Sequence, residues 1–263
     1  MKRPCSGSVS VRPLPGVTLR TAWLAVFATI GCATVALAQD PPTEDGGAEE
    51  AGAEEAGADG VAAEEQAPSG PQNFALSVSN SWIYVVIYND SSRWTPITGH
   101  DHGIRATSFT GSVTWDTADA SACKVDIRVP YSGLRVDPPG MRERLKIPVD
   151  GAISDSQKEK VVGNMLSKGQ LNQDSFGEVR FVATSCSGTT GKIDVTGNMS
   201  IRGVSKKITI PMDVSVEGDT FRASGTISLT HADFDMKPFT YGPGTPRNQE
   251  KLTFGVDVIG KAG

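Results

Sequence analysis

Three histidines, His100, His102 and His231, are the only imidazoles in the 263 residues. In extended backbone, His100-Asp101-His102 turns both rings to one face of a strand, an arrangement able to hold a metal ion. His231, at the end of another apolar alternation, is the candidate third ligand. One function therefore starts here: a metal-binding protein or metal-dependent enzyme using His100, His102 and His231. The same face continues with Ile104 and Ala106. That favours the plainer alternative, imidazoles hydrogen-bonded at the rim of the fold with no metal.

Other chemistry is sparse. The chain has no GxSxG elbow, HExxH, phosphate-binding loop or complete GxGxxG, so no catalytic residue or cofactor is assigned and the protein is read as a non-enzyme. Asp233 and Asp235 flank Phe234 with the spacing of a carboxylate pair, but solvated aspartates are common in strand-end turns. Gly242-Pro243-Gly244-Thr245-Pro246 has two prolines, which suit a lid or edge better than a phosphate cradle. Arg142 and Arg144 sit on a short turn, either as a plain surface helix or as a rim that meets an anionic head group.

The elements that must position these residues follow from the apolar pattern. Ile208, Ile210, Met212, Val214 and Val216 alternate with Lys207, Thr209, Asp213 and Ser215. Val125–Val129, Ile193–Ile201, Phe221–Leu229 and Leu252–Val258 repeat this period of two, as half-buried antiparallel strands do. Trp82 to Tyr88 is apolar on both faces and is expected to be covered on both. Gly197 marks a bulge or a close approach. Between Tyr131 and Gly177 the pattern breaks. Ser154 and Gln157 have capping-box spacing, and Val161, Val162, Met165 and Leu166 share a helical face. After this insertion Glu178–Val182 can pair antiparallel with Lys124–Val129, bringing Cys123 towards Cys186. Cys123 is in phase with Val125, whereas Cys186 is out of phase with Phe181, so a Cys123–Cys186 disulfide needs a bulge; two buried thiols are the alternative. About eight strands with one helical insertion suggest an all-β, closed or nearly closed antiparallel barrel with room for packed side chains or one slender ligand.

The N-terminal third has a different composition. Residues 1–38 carry Lys2, Arg3, Arg12 and Arg20, then an apolar run to Leu37 and a small-residue site ending at Ala38, the order of a cleavable signal peptide. Lipidation at Cys32 is the lesser alternative. Residues 39–71 contain ten acidic residues, no Lys or Arg, and an Ala/Glu/Gly repeat, which reads as a disordered acidic spacer. Without these segments the net charge of −5 disappears, leaving 21 basic and 20 acidic residues in 72–263. A near-neutral domain offers no electrostatic footprint for nucleic acid.

From Ser81 onward the chain carries, in order, Ser81-Trp82-Ile83-Tyr84-Val85, Phe109-Thr110-Gly111-Ser112-Val113, Leu134 with Arg142, Asn164-Met165-Leu166, Gly177–Phe181, Val195–Val204 and Ala232-Asp233-Phe234. This ordered set resembles the YceI-like family of periplasmic lipid-binding proteins. The resemblance implies an eight-stranded lipocalin-like barrel over 72–263 with a short helical insertion. It further implies a long apolar or amphiphilic ligand inside, a polyisoprenoid, quinone or fatty-acid derivative, held for transport, storage or protection. Phe181 and Phe234 match family positions expected to line the interior, with Arg142 and His102 as candidate contacts near the rim. The expected setting is periplasmic or secreted, with the N-terminal segment giving proximity to a membrane and a lipid-like small molecule as the partner.

Overall fold

The computed structural model describes residues 70–92, 99–148, 152–189 and 191–263. The expected signal segment 1–38, and the acidic spacer up to residue 69, lie outside the described residues. The strands are β1 (Gln72–Leu76), β2 (Trp82–Asn89), β3 (His102–Ala106), β4 (Thr110–Trp115), β5 (Lys124–Pro130) and β6 (Leu134–Val136). Two helices follow, α1 (Met141–Leu145) and α2 (Asp155–Leu166). Five longer strands complete the fold: β7 (Glu178–Thr189), β8 (Lys192–Ile201), β9 (Val204–Glu217), β10 (Thr220–Thr230) and β11 (Asn248–Ala262).

Hydrogen-bonded neighbours run β1-β4-β5-β7-β8-β9-β10-β11, and β1 pairs back onto β11. These eight antiparallel strands close a barrel. The registers explain the other three. β1 and β2 both pair with β11, β4 and β3 pair with β1 and β2, and β5 and β6 pair with β4 and β3. Each couple is one long strand broken in the middle. The first break stays attached to the sheet: Ser77 N donates to Ile259 O over 2.8 Å, and Ile259 N donates to the hydroxyl of buried Ser81 over 3.0 Å. The backbone groups freed by the kink are thereby satisfied.

The two ends of the barrel differ. At one end β1 closes the ring, and Phe74, Trp115 and Phe221 stack inside it with centroids 5.3 and 6.2 Å from the Phe221 ring. The disulfide between Cys123 and Cys186, with Cα atoms 6.1 Å apart, ties β7 to the residue before β5 at this end. A shift of register between Ala183 and Ser185 in β7 absorbs the phase difference between Phe181 and Cys186. At the other end, β5 pairs with β7 but its continuation β6 pairs only with β3 among the described strands. The wall parts between β6 and β7, and the connecting chain carries both helices.

Local chemistry places those helices. Ser154 and Gln157 form the reciprocal capping box of α2, whose Met165 and Leu166 pack against the core. α1 lies on the outer face of β3, where fully buried Met141 packs on Gly103. A Cβ at Gly103 would fall 2.8 Å from Met141 carbons, so that approach requires glycine. Inside, β8 and β9 bury Ile193, Val195, Met199, Ile201, Ile208, Ile210 and Met212, the alternation expected from the sequence. β2 turns Ile83, Val85 and Ile87 to the core. On its other face Val86 is buried and the Arg105 guanidinium lies 3.6 Å from the Trp82 ring.

Candidate ligand-binding channel

Alternation puts an almost unbroken apolar lining on the inner wall. Val113, Val125, Val179, Phe181, Met212 and Val256 are among the side chains around a deep cavity of about 120 Å³, which extends to the Cys123–Cys186 bridge. Such a space, with scarcely a polar group around it, favours an apolar guest over water. A second cavity of about 120 Å³ adjoins it, with Ile83, Val129, Val179 and Phe254 bordering both. The second in turn shares Ile87, Ile104, Met165 and Gln170 with a larger space of about 550 Å³ at the split end. The three spaces follow one another from the aromatic-stacked end to the helical end.

The character of the wall changes along this path. The deep space is bounded by valine, isoleucine, phenylalanine and methionine, and the mouth by Asn89, His100, His102, Gln157, Lys160 and Asn164 together with apolar residues. α2 supplies Gln157, Lys160, Val161, Asn164 and Met165, one helical stripe facing the gap in the wall. Across the mouth stands the segment after β10. There Phe239 and Tyr241 meet edge to face at 5.1 Å, and Asn164 Nδ2 donates to Tyr241 Oη over 2.9 Å. Tyr241 is 70% exposed. The glycine- and proline-rich segment expected to be a lid or edge contributes Thr245 and Pro246 to this lining.

Two of the three histidines reach the mouth. The His100 and His102 rings are 6.4 Å apart and both border it. His102 Nδ1 lies 2.9 Å from Asp137 Oδ2, and an ionised carboxylate only accepts, so Nδ1 donates. The other Asp137 oxygen accepts from Gly103 N over 2.8 Å, and Arg142 Nη1 donates to Oδ2 over 3.0 Å. Burial raises the Asp137 carboxyl, but the bonds from His102 and Gly103 and the charges of His102 and Arg142 outweigh it and leave the carboxyl below its ordinary value. His231 is buried at the middle cavity, with Nδ1 3.0 Å from the Glu250 carbonyl. Burial holds its imidazole below the ordinary histidine range.

These positions correct part of the sequence reading. His231 does not join His100 and His102: among the described residues no group of three His, Cys, Asp or Glu side chains is placed to hold a metal ion. Arg142 does not stand on a rim. Its guanidinium is buried, where it donates to Asp137, the Asp101 carbonyl and the Pro148 carbonyl, so its donors are turned inward. Phe234 is completely buried and belongs to the packed core, in a short turn capped by Thr230 and Asp233. Phe181 does line the deep cavity, its ring seated over Gly197, where a Cβ would lie 2.6 Å from Cζ. The sequence reading missed Asp137, the hub that fixes His102. The signal was an aspartate before the rigid Pro138-Pro139-Gly140 turn, held at a φ of 42°. It also read only a shared helical face in α2, with no role at a mouth, because the gap between β6 and β7 has no local signature.

A family model described as the YceI-like domain matches residues 93–258. Two UPF0312 proteins of Pseudomonas putida, from strains W619 and GB-1, are each 25% identical over 160 residues, covering 57% of this chain and 70% of theirs. Among solved structures, BcnA of Burkholderia cenocepacia superposes with a TM-score of 0.52 at 13% identity, over 70% of this chain and 98% of that one. A polyisoprenoid binding domain from Saccharophagus degradans gives a TM-score of 0.48 at 9% identity, over 72% and 98% of the two chains.

Proposed function

Because the chain belongs to the YceI-like domain family, we propose that it is an exported, non-catalytic carrier that encloses one long apolar or amphiphilic molecule for transport, storage or protection. The observation that carries this reading is the succession of three adjoining spaces, apolar in the depth of the barrel and polar at its mouth. A polyisoprenoid, quinone or fatty-acid derivative matches that order, tail inward and head outward. Burial of each methylene contributes about 0.8 kcal/mol, so a tail alone supplies affinity without a charged contact in the deep part.

Export to the periplasm or medium rests on the basic, apolar and small-residue order of residues 1–38, and the acidic segment 39–71 serves as a solvated spacer. A disulfide between Cys123 and Cys186 suits an oxidising compartment. Native mass spectrometry of protein recovered from its own cell envelope tests the carrier reading. A bound mass that organic extraction releases as a long-chain lipid is the expected result. A bare protein that also takes up no added polyprenyl alcohol, quinone or fatty acid overturns it.

A further inference from the structure

Among the described residues, one wall of the mouth carries a formal charge that no ion pair or hydrogen bond engages. The described residues around the mouth include Lys160 and the two imidazoles of His100 and His102, but no aspartate or glutamate. Asp101, beside both histidines, turns an oxygen to the backbone N of Asn89 at 2.7 Å, and Asp137 is buried beneath His102. On α2, Lys158 pairs with Asp155 at 3.0 Å, whereas Lys160 makes no ion pair or hydrogen bond among the described residues. The remaining polar side chains are neutral amides and hydroxyls, several already committed: Gln157 to Ser154, Asn164 to Tyr241, Gln170 to the Lys237 carbonyl and Thr245 to the Gly242 carbonyl. Among the described residues, Lys160 is an uncommitted ammonium facing a space without carboxylates, and such a space selects by sign of charge.

We propose that the mouth recognises an anionic oxygen head group, a phosphate or carboxylate on the apolar chain, with Lys160 as the residue that sets the preference. This rests on the carrier reading and narrows its ligand class: an amine head would meet an unbalanced cation, and a neutral alcohol would leave Lys160 without a partner. The head remains partly in solvent, because Lys160 is exposed. The preference is therefore that of a partly screened pair, about fivefold in Kd at low salt, and it narrows as ionic strength rises.

Farnesyl phosphate, farnesol and farnesylamine share one tail, and their displacement of a fluorescent apolar probe from the full chain reads head and tail separately. Expected is a Kd order of phosphate, then alcohol, then amine, with Lys160→Glu weakening the phosphate by about tenfold and leaving the alcohol unchanged. Lys160→Gln should bring phosphate and alcohol together. Palmitic acid against hexadecanol, run the same way, distinguishes a carboxylate from a phosphate source of the same chemistry. Equal binding of phosphate and alcohol by the unaltered protein, or an equal loss for both in Lys160→Glu, overturns the head-group assignment while leaving the carrier reading intact. Binding of none of the compounds overturns the carrier reading itself.

Discussion

Shortening the channel from within should shorten the ligand it can hold. Ala223 is buried on the inner face of β10 and borders the deep cavity of about 120 Å³ beside Phe221 and Ile227. Ala223→Phe places a phenyl ring in that space and displaces about four methylenes of a tail, on the order of 3 kcal/mol at ~0.8 kcal/mol each. This corresponds to roughly a hundredfold in Kd for ligands long enough to reach the deep cavity. Ligands that fill only the middle cavity and the mouth should bind as before. A series of fatty acids of increasing length, titrated by displacement of a fluorescent probe, checks this. The unaltered protein should gain affinity with each added methylene, and the variant should reach its plateau about four methylenes earlier. Arg222→Phe, the same ring on the exposed outer face of the same strand, is the control and should leave the series unchanged. Circular dichroism and a thermal melt confirm that both variants fold. Coincident length series for Ala223→Phe and the unaltered protein would refute the channel, and so would a uniform loss that spares no short ligand.

Other perturbations probe the supports of the channel. Asp137→Ala leaves the buried Arg142 guanidinium without its counter-charge and should destabilise by about 3–5 kcal/mol in urea unfolding, with much of the loss recovered in Asp137→Ala/Arg142→Leu; a cost below about 1 kcal/mol would show that the pair is idle. Because the Asp137 carboxyl is held below its ordinary value in the fold, its contribution is present above the unfolded value of about 4 and fades as pH falls towards the folded one. Asp137→Asn should flatten that acid limb. His231 runs in a higher window: its folded value is depressed by burial, so the unfolded chain takes the proton first and stability falls as pH drops below about 6.5. Melts at pH 7.5 and 5.5, about a unit either side of that value, should differ less in His231→Gln than in the unaltered protein. Removing the bridge with Cys123→Ser/Cys186→Ser frees a span of 63 residues and should cost roughly 2–5 kcal/mol, read as a lowered unfolding midpoint that reductant no longer affects.

How much of this was legible depended on whether the signal was local. β8, β9, β10 and β11 could be read from alternation, since every second residue of each answers to the same interior. The β5–β7 pairing could be read as well, because the helical insertion must return the chain to the sheet at Glu178. The breaks at 77–81, 107–109 and 131–133 were not legible. They are short, polar or mixed segments whose role is set by partners far along the chain, as with Ser81 and Ile259. The candidate site followed the same division. Phe181 was reached through its match to a family position and does line the cavity, whereas Arg142 carried a charge whose buried partner, Asp137, is visible only once β3 and α1 are stacked.

The breaks also account for the direction of the channel. A meander of eight unbroken strands would close at both ends of its length. Here the ring is complete only where β1 reaches β11, and that end is occupied by Phe74, Trp115 and Phe221. Kinking three successive strands carries β2, β3 and β6 away as an extension of β11, so the free edge of β6 leaves β7 and the wall opens there. A helix can cover such a gap without completing its hydrogen bonds, and α2 does so with its amphipathic stripe. The stripe that fills the gap in the wall is thus the stripe that makes the mouth polar. Widening the gap should therefore change entry more than retention. Met165→Ala, at the point where α2 borders both the mouth and the middle cavity, is expected to speed association and dissociation together. Stopped-flow measurements with a fluorescent fatty acid would show both rates rising with a Kd within about threefold of the unaltered value, the small change appropriate to losing one half-buried contact. A slower or unchanged association rate would place the entrance elsewhere on the barrel.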